Sequence, residues 1–305
     1  MKKIMTRLLS LVLLGAFIPS FVLAETWDLG KGDITVTATE TSQTVSQVNG
    51  ETKDDPDPVI TSSGKTENTV TINAETNATA NVTLENVNID TGTRGGAAIT
   101  TSGEGNVNIE LNGTNTVQSG NTHAGVEKKD NGTLTITDED KDGSLTATGG
   151  NYGAGIGGGY EGSGSNIAIE GGKVEASSVG GGAGIGGGSL GSGSNIAVSG
   201  GEVTAQGGVG GAGIGGGQGG SGSKITISDG KVTATGAGAG AGIGGGYAGS
   251  GEGITIEGGE VTAQGDAGGA GIGGGISGTG SDVTISGDAQ VKVQGGTTGR
   301  DWHKG

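Results

Sequence analysis

The hexapeptide Ala-Gly-Ile-Gly-Gly-Gly begins at Ala154, Ala183, Ala212, Ala241 and Ala270, so it returns every 29 residues. The residues between the copies repeat in register with it. A long fixed period is the mark of a solenoid, in which each repeat is one structural unit stacked on the next. The chain is therefore expected to form a stack and not a globule around one core.

In the copy from Ala154 to Gly182, three segments alternate in the period of two that marks a strand: Ala154 to Gly158, Asn166 to Glu170 and Lys173 to Ser177. Gly-Ser clusters and Gly171-Gly172 break the chain between them. Three strands and three corners make one triangular coil. Four inward columns are predicted. The first is Ile156, Ile185, Ile214, Ile243 and Ile272, and the second is Ile167, Ile196, Ile225, Ile254 and Val283. The third is Ile169, Val198, Ile227, Ile256 and Ile285, and the fourth is Val174, Val203, Val232 and Val261. An outward column alternates in sign through Lys173, Glu202, Lys231 and Glu260. That alternation suits parallel strands stacked one repeat per coil, because like charges directly opposite destabilise a ladder. Val291 arrives one residue late, which reads as a β-bulge near the end of the stack.

The hexapeptide solenoids are set aside by a period of 29. The calcium-binding nonapeptide solenoids are set aside by Gly-Ser corners that lack the needed Asp. The fold expected is all-β: a right-handed parallel β-helix with three short strands in each coil. Five regular coils fill 154–298. Irregular coils over 69–153 carry strand-like runs at Val70-Thr-Ile72, Val82-Thr-Leu84, Val87-Asn-Ile89, Val107-Asn-Ile109 and Leu134-Thr-Ile136. Residues 25–68, with Trp27 and the acidic loop Asp54-Asp55-Pro56-Asp57-Pro58, are expected to cap the first coil. The tail 299–305 shows no capping element, which suits either closure by Trp302 or a fragment of a longer protein.

Lys2, Lys3 and Arg7 precede an apolar run to Leu23, and Val22 and Ala24 stand where a small-residue cleavage site needs them. Residues 1–24 therefore read as a secretory leader, with an extracellular or cell-surface location and no later membrane insertion expected. The chain has no cysteine, so stability rests on packing and backbone pairing. Its formal net charge is −16, and loss of three basic leader residues takes the remainder to −19. Such acidity argues against nucleic acid as partner and against anionic membrane surfaces.

The runs Asn81-Val-Thr-Leu-Glu-Asn-Val-Asn-Ile89, Asn106-Val-Asn-Ile-Glu-Leu-Asn-Gly113 and His123-Ala-Gly-Val126, together with the glycine copies, resemble secreted bacterial right-handed parallel β-helix proteins. Those proteins are described as carbohydrate-binding-domain proteins and are common in gut Gram-positive anaerobes. The resemblance implies a polysaccharide or host-cell glycan as partner and carries over no catalytic residue.

The expected function is a non-enzymatic β-helix that binds carbohydrate or mediates adhesion. A structural spacer of a larger surface protein and a polysaccharide lyase or hydrolase are the alternatives. If Ile156 points inward, its flanking glycines point outward, leaving a bare strip at Gly155, Gly157, Gly184, Gly186, Gly213, Gly215, Gly242 and Gly244. That strip reads as a docking face for a glycan or another solenoid, or as a side too tight for side chains. Tyr160 and Tyr247 flank it at equivalent positions, where Ser189, Gln218 and Ile276 stand in other coils. No cofactor is required. Asp138, Asp140 and Asp142 precede Gly143 as in the start of a Ca²⁺ loop, but Gly149 stands where the closing Glu belongs. His123 with Glu127, Lys128 and Asp130 is the most catalytic-looking group, and otherwise a solvated corner of mixed charge.

Overall fold

The computed structural model describes residues 24–48, 50 and 52–297. Most of the expected leader, and Arg300, Trp302 and His303, lie outside the described residues.

The alternating segments pair with their equivalents one coil away and build three long sheets of ten, eight and eleven strands. In the regular region each coil contributes a strand to the ten-stranded sheet (as Gly164–Ile169), then to the eight-stranded sheet (Lys173–Ser178), then to the eleven-stranded sheet (Ile185–Gly186). All pairings from Val70 onward are parallel. Ile156 lies beside Ile185, Ile167 beside Ile196, Ile169 beside Val198 and Val174 beside Val203, so the four predicted columns form as read. Their members through Val261 are buried, each worth roughly 1.5–3 kcal/mol of transfer free energy. A fifth inward column, Ala176, Ala205, Ala234 and Ala263, completes the eight-stranded side. In the last coil the columns open: Val283, Ile285 and Val293 are 41–49 % exposed.

The strand expected from Asn166 begins two residues earlier and kinks there. Asn166, Asn195, Lys224, Gly253 and Asp282 all adopt left-handed backbone, with φ between 51° and 63°. Asn tolerates that conformation better than most residues, and Asn195 Nδ2 donates to Asn166 Oδ1 at 2.7 Å.

The charged column is in register, Lys173 beside Glu202 beside Lys231 beside Glu260. Lys231 meets Glu202 at 3.1 Å, while Lys173 turns to Glu175 on its own strand at 3.0 Å. Glu175 holds the Lys173 ammonium above its ordinary pKa by accepting its hydrogen bond. The late Val291 is not a strand bulge. Ile256 pairs with Ile285 but Glu260 with Gln290, so the extra residue sits in the corner between them. The register shift of the eight-stranded sheet lies elsewhere, between Gln206 and Val209.

At the amino-terminal end, Ile34–Ala38 pairs antiparallel with Gln43–Gln47, which pairs with Lys53–Asp54 and so covers one sheet edge. The acidic loop is a fixture of this end. Asp55 is fully buried and accepts hydrogen bonds from Trp27 Nε1 at 2.8 Å and the Glu25 backbone at 3.1 Å. Arg94 reaches back to Asp33 through two bonds of 2.9 Å and, with Thr69, holds that carboxyl below its usual range.

Candidate functional site

The eleven-stranded side is the shortest, with two-residue strands in the regular coils. Its glycines are not a bare outer strip. Gly155, Gly157, Gly184, Gly186, Gly213, Gly215, Gly242 and Gly244 are all buried. A Cβ on Gly155 would stand 2.5 Å from Ser177 N and 2.9 Å from Ala147 O, so this glycine faces the backbone of the eight-stranded side. Gly184, Gly213 and Gly242 repeat that geometry. Gly157 has φ +135°, and a Cβ there would stand 2.0 Å from Gly186 O of the next coil. The exposed docking strip is therefore corrected to a close-packed side that has no room for side chains.

The exposed surface beside it comes from the corners at either end of these short strands. Tyr160 N donates to Thr122 O at 2.7 Å, Ser189 N to Tyr152 O at 2.7 Å, Gln218 N to Gly181 O at 2.7 Å and Tyr247 N to Gly210 O at 2.6 Å. These bonds draw the two corners together coil after coil. Tyr152, Tyr160, Val179, Leu190, Val209 and Tyr247 stand on them, each 45–64 % exposed. Tyr160 and Tyr247 are thus displayed as expected, on a row of apolar side chains whose other members the repeat alignment did not single out. Tyr152 packs edge-on against Tyr160, with ring centroids 5.3 Å apart and planes at 67°. Three strand spacings of about 4.8 Å separate Tyr160 from Tyr247, a run of roughly 14 Å.

The acidic turn gathers a different trio from the one read in the sequence. Glu110, Asp138 and Asp140 bring carboxylate oxygens within 4.8 Å of one another, and Asp142 is not among them. Glu110 belongs to the preceding coil, opposite Thr137. It accepts the Thr137 hydroxyl and, at 2.7 Å, the Glu139 backbone N–H. The irregular 27-residue offset of this pair hid it from the 29-residue alignment. Burial raises the Asp138 carboxyl above the ordinary range, and its hydrogen bond with Asp140 adds to that. Three carboxylates fall short of the six to eight oxygens that Ca²⁺ takes, and other polar groups of the adjoining cleft, of about 540 Å³, include Asn81, Asn108 and Glu170.

The group around His123 is more ordered than a solvated corner. Strand Val126–Lys128 is buried at all three positions. Glu127, its side chain 3 % exposed, accepts from His123 Nδ1 at 2.8 Å, Lys129 Nζ at 2.7 Å and the Ala124 backbone at 3.0 Å. Lys128 turns inward, pairs with Asp130, and donates to the Asp130 carbonyl at 2.9 Å. The drift of the irregular coils concealed which of these residues face inward.

A family model described as the beta helix repeat matches residues 141–160, 167–189, 196–218, 225–247 and 254–276. The chain is a parallel β-helix. The matched segments repeat at the 29-residue spacing of the regular coils, and the β-helix continues upstream of them through coils of looser spacing. Neither the curated proteins nor the solved structures compared with the chain include a match. Among the described residues no helix is long and apolar enough to cross a membrane. The fold fits a surface adhesin or a stalk.

Proposed function

We propose that this parallel β-helix is a secreted, non-enzymatic adhesin or stalk that holds an extended glycan along its corner row. The corner side chains Tyr152, Tyr160, Leu190 and Tyr247 carry this reading, because all are half-exposed and Tyr160 and Tyr247 stand at the same repeat position three coils apart. Aromatic rings give a sugar an apolar face to stack on, and their spacing by whole coils suits a linear polymer. The strongly acidic charge favours neutral glycans. The leader-like amino terminus supports export.

A glycan-array screen of the purified protein, with Ca²⁺ and with chelator, tests the reading. Selective binding to one polysaccharide class is expected. Tyr247→Ala, which removes a stacking surface worth about 0.5–1.5 kcal/mol, should weaken it roughly two- to twelvefold. No binding under either condition refutes the glycan reading and leaves the stalk.

A further inference from the structure

One set of buried charges serves neither the columns nor the corner row. It sits where the last irregular coil meets the first regular one, with Val126 stacked between Ile99 and Ile156. Next to it Lys128 lies opposite Thr101. The side chains of Lys128 and Asp130 are 1 % and 2 % exposed. Lys128 satisfies Asp130 Oδ1, but Asp130 Oδ2 is buried with no hydrogen-bond partner. A carboxylate oxygen left unpaired in that position costs more than a neutral acceptor would.

Asp130 and His123 line one cleft of about 620 Å³ together with Lys129, Asn131, Tyr160 and Ser163. The Glu127 carboxylate only accepts, so His123 Nδ1 must carry the proton of their 2.8 Å bond. In the neutral ring Nε2 is then an acceptor. The cleft thus offers His123 Nε2 as an acceptor and Lys129 as a cationic donor, and Asp130 in its wall carries the buried, unpartnered Oδ2. The Tyr160 ring, braced by Tyr152, is the apolar plate beside them. Lys128 and Lys129 balance Glu127 and Asp130, so the site is neutral on a chain of charge −16. An anion would meet the free carboxylate oxygen, and a cation would meet the lysines. A group that donates hydroxyls, accepts a proton and has an apolar face meets no such conflict.

We propose that this cleft binds one neutral sugar unit of a glycan. Two of its hydroxyls donate to His123 Nε2 and Asp130 Oδ2, another oxygen accepts from Lys129 Nζ, and Tyr160 covers its face. The proposal rests on the glycan-binding reading above and names a terminal subsite for it, since Tyr160 belongs to both the cleft and the row.

Histidine-ring NMR of the full chain tests it directly. The sequence has two histidines, His123 and His303, and His303→Gln assigns the signals. Cellobiose, mannobiose, xylobiose and lactose are titrated as neutral probes, with sodium glucuronate as the charged one. At least one neutral disaccharide should shift the His123 ring signals saturably, and glucuronate should not. Lys129→Ala and Tyr160→Ala, both at exposed positions that leave the buried Lys128–Asp130 pair intact, should each weaken that binding about tenfold. No shift with any neutral probe, or a shift with glucuronate alone, overturns the subsite. So does array binding that Tyr247→Ala weakens and Lys129→Ala leaves unchanged, although the adhesin reading then stands. An array without any binding overturns both.

Discussion

The close-packed glycine side can be tested by adding one carbon. Gly213→Ala places a Cβ 2.6 Å from Thr235 N, 2.7 Å from Gly242 O and 2.9 Å from Ala205 O. All three are backbone atoms, so no side-chain rotation relieves the contacts. Thr235 and Ala205 belong to adjacent strands of the eight-stranded side, and Gly242 to the next coil. Overpacking of this kind costs about 1–3 kcal/mol. The smaller unfolded-state entropy of alanine returns about 0.4–1 kcal/mol, so a net loss near 1–2 kcal/mol is expected. Gly64→Ala is the matched control, because a Cβ there meets nothing within 4 Å. It should be neutral or slightly stabilising. Urea unfolding followed by circular dichroism compares the two variants by midpoint, the appropriate quantity for a repeat stack whose unfolding need not be two-state. A Gly213→Ala midpoint equal to that of Gly64→Ala would refute the packed side and restore the exposed strip.

Ile214→Asp puts a carboxylate at a fully buried position of the first column. An unpaired buried charge there should cost more than about 4 kcal/mol, and wild-type melting would contradict the column. The Asp33–Arg94 link predicts a pH dependence. The depressed Asp33 carboxyl adds stability at pH values above its ordinary unfolded range, and that contribution is lost as pH falls through the lower folded value. Because the two side chains are 30 % and 44 % exposed, the contribution is about 0.5–1 kcal/mol. Arg94→Ala should lower stability by that amount at pH 7 and by progressively less as the pH falls through the depressed Asp33 value, as thermal melts across that range would reveal.

The periodic part of this fold was legible because each column repeats one residue type at one spacing. Ile156 to Ile272 could be aligned without knowing anything of their surroundings. The glycine side was misread because alternation of faces was extended through a two-residue strand. Gly157 and its equivalents have positive φ, which breaks the in–out rule, and a glycine has no side chain to reveal which way it points. The upstream polar interior was illegible for a different reason. Asn115 is fully buried, accepting the Val87 N–H at 2.9 Å and donating to Asn112 O and Ser144 O at 3.1 Å. A sequence shows such a residue only as one polar letter among many. Glu127 and Lys128 look equally ordinary as text, and their burial follows from the coil packed on each side of them. The acidic trio needed Glu110, which irregular spacing moved out of the alignment.

Ser165 lies beside Ser194 and Asn195 Nδ2 donates to Asn166 Oδ1, residue type facing its own type one coil on. Where the unit above and the unit below are nearly the same, removing or inserting one whole repeat leaves the apolar columns of every remaining interface of a familiar kind, while the charged column changes, with Lys173 set beside Lys231. A 29-residue deletion such as 184–212 rejoins Ala183 to Gly213, restores the hexapeptide and shortens the molecule by about 4.8 Å. Length in this protein is thus a quantity that gene duplication or loss can change in steps, each step resetting how far its surface reaches without requiring a new core to be found.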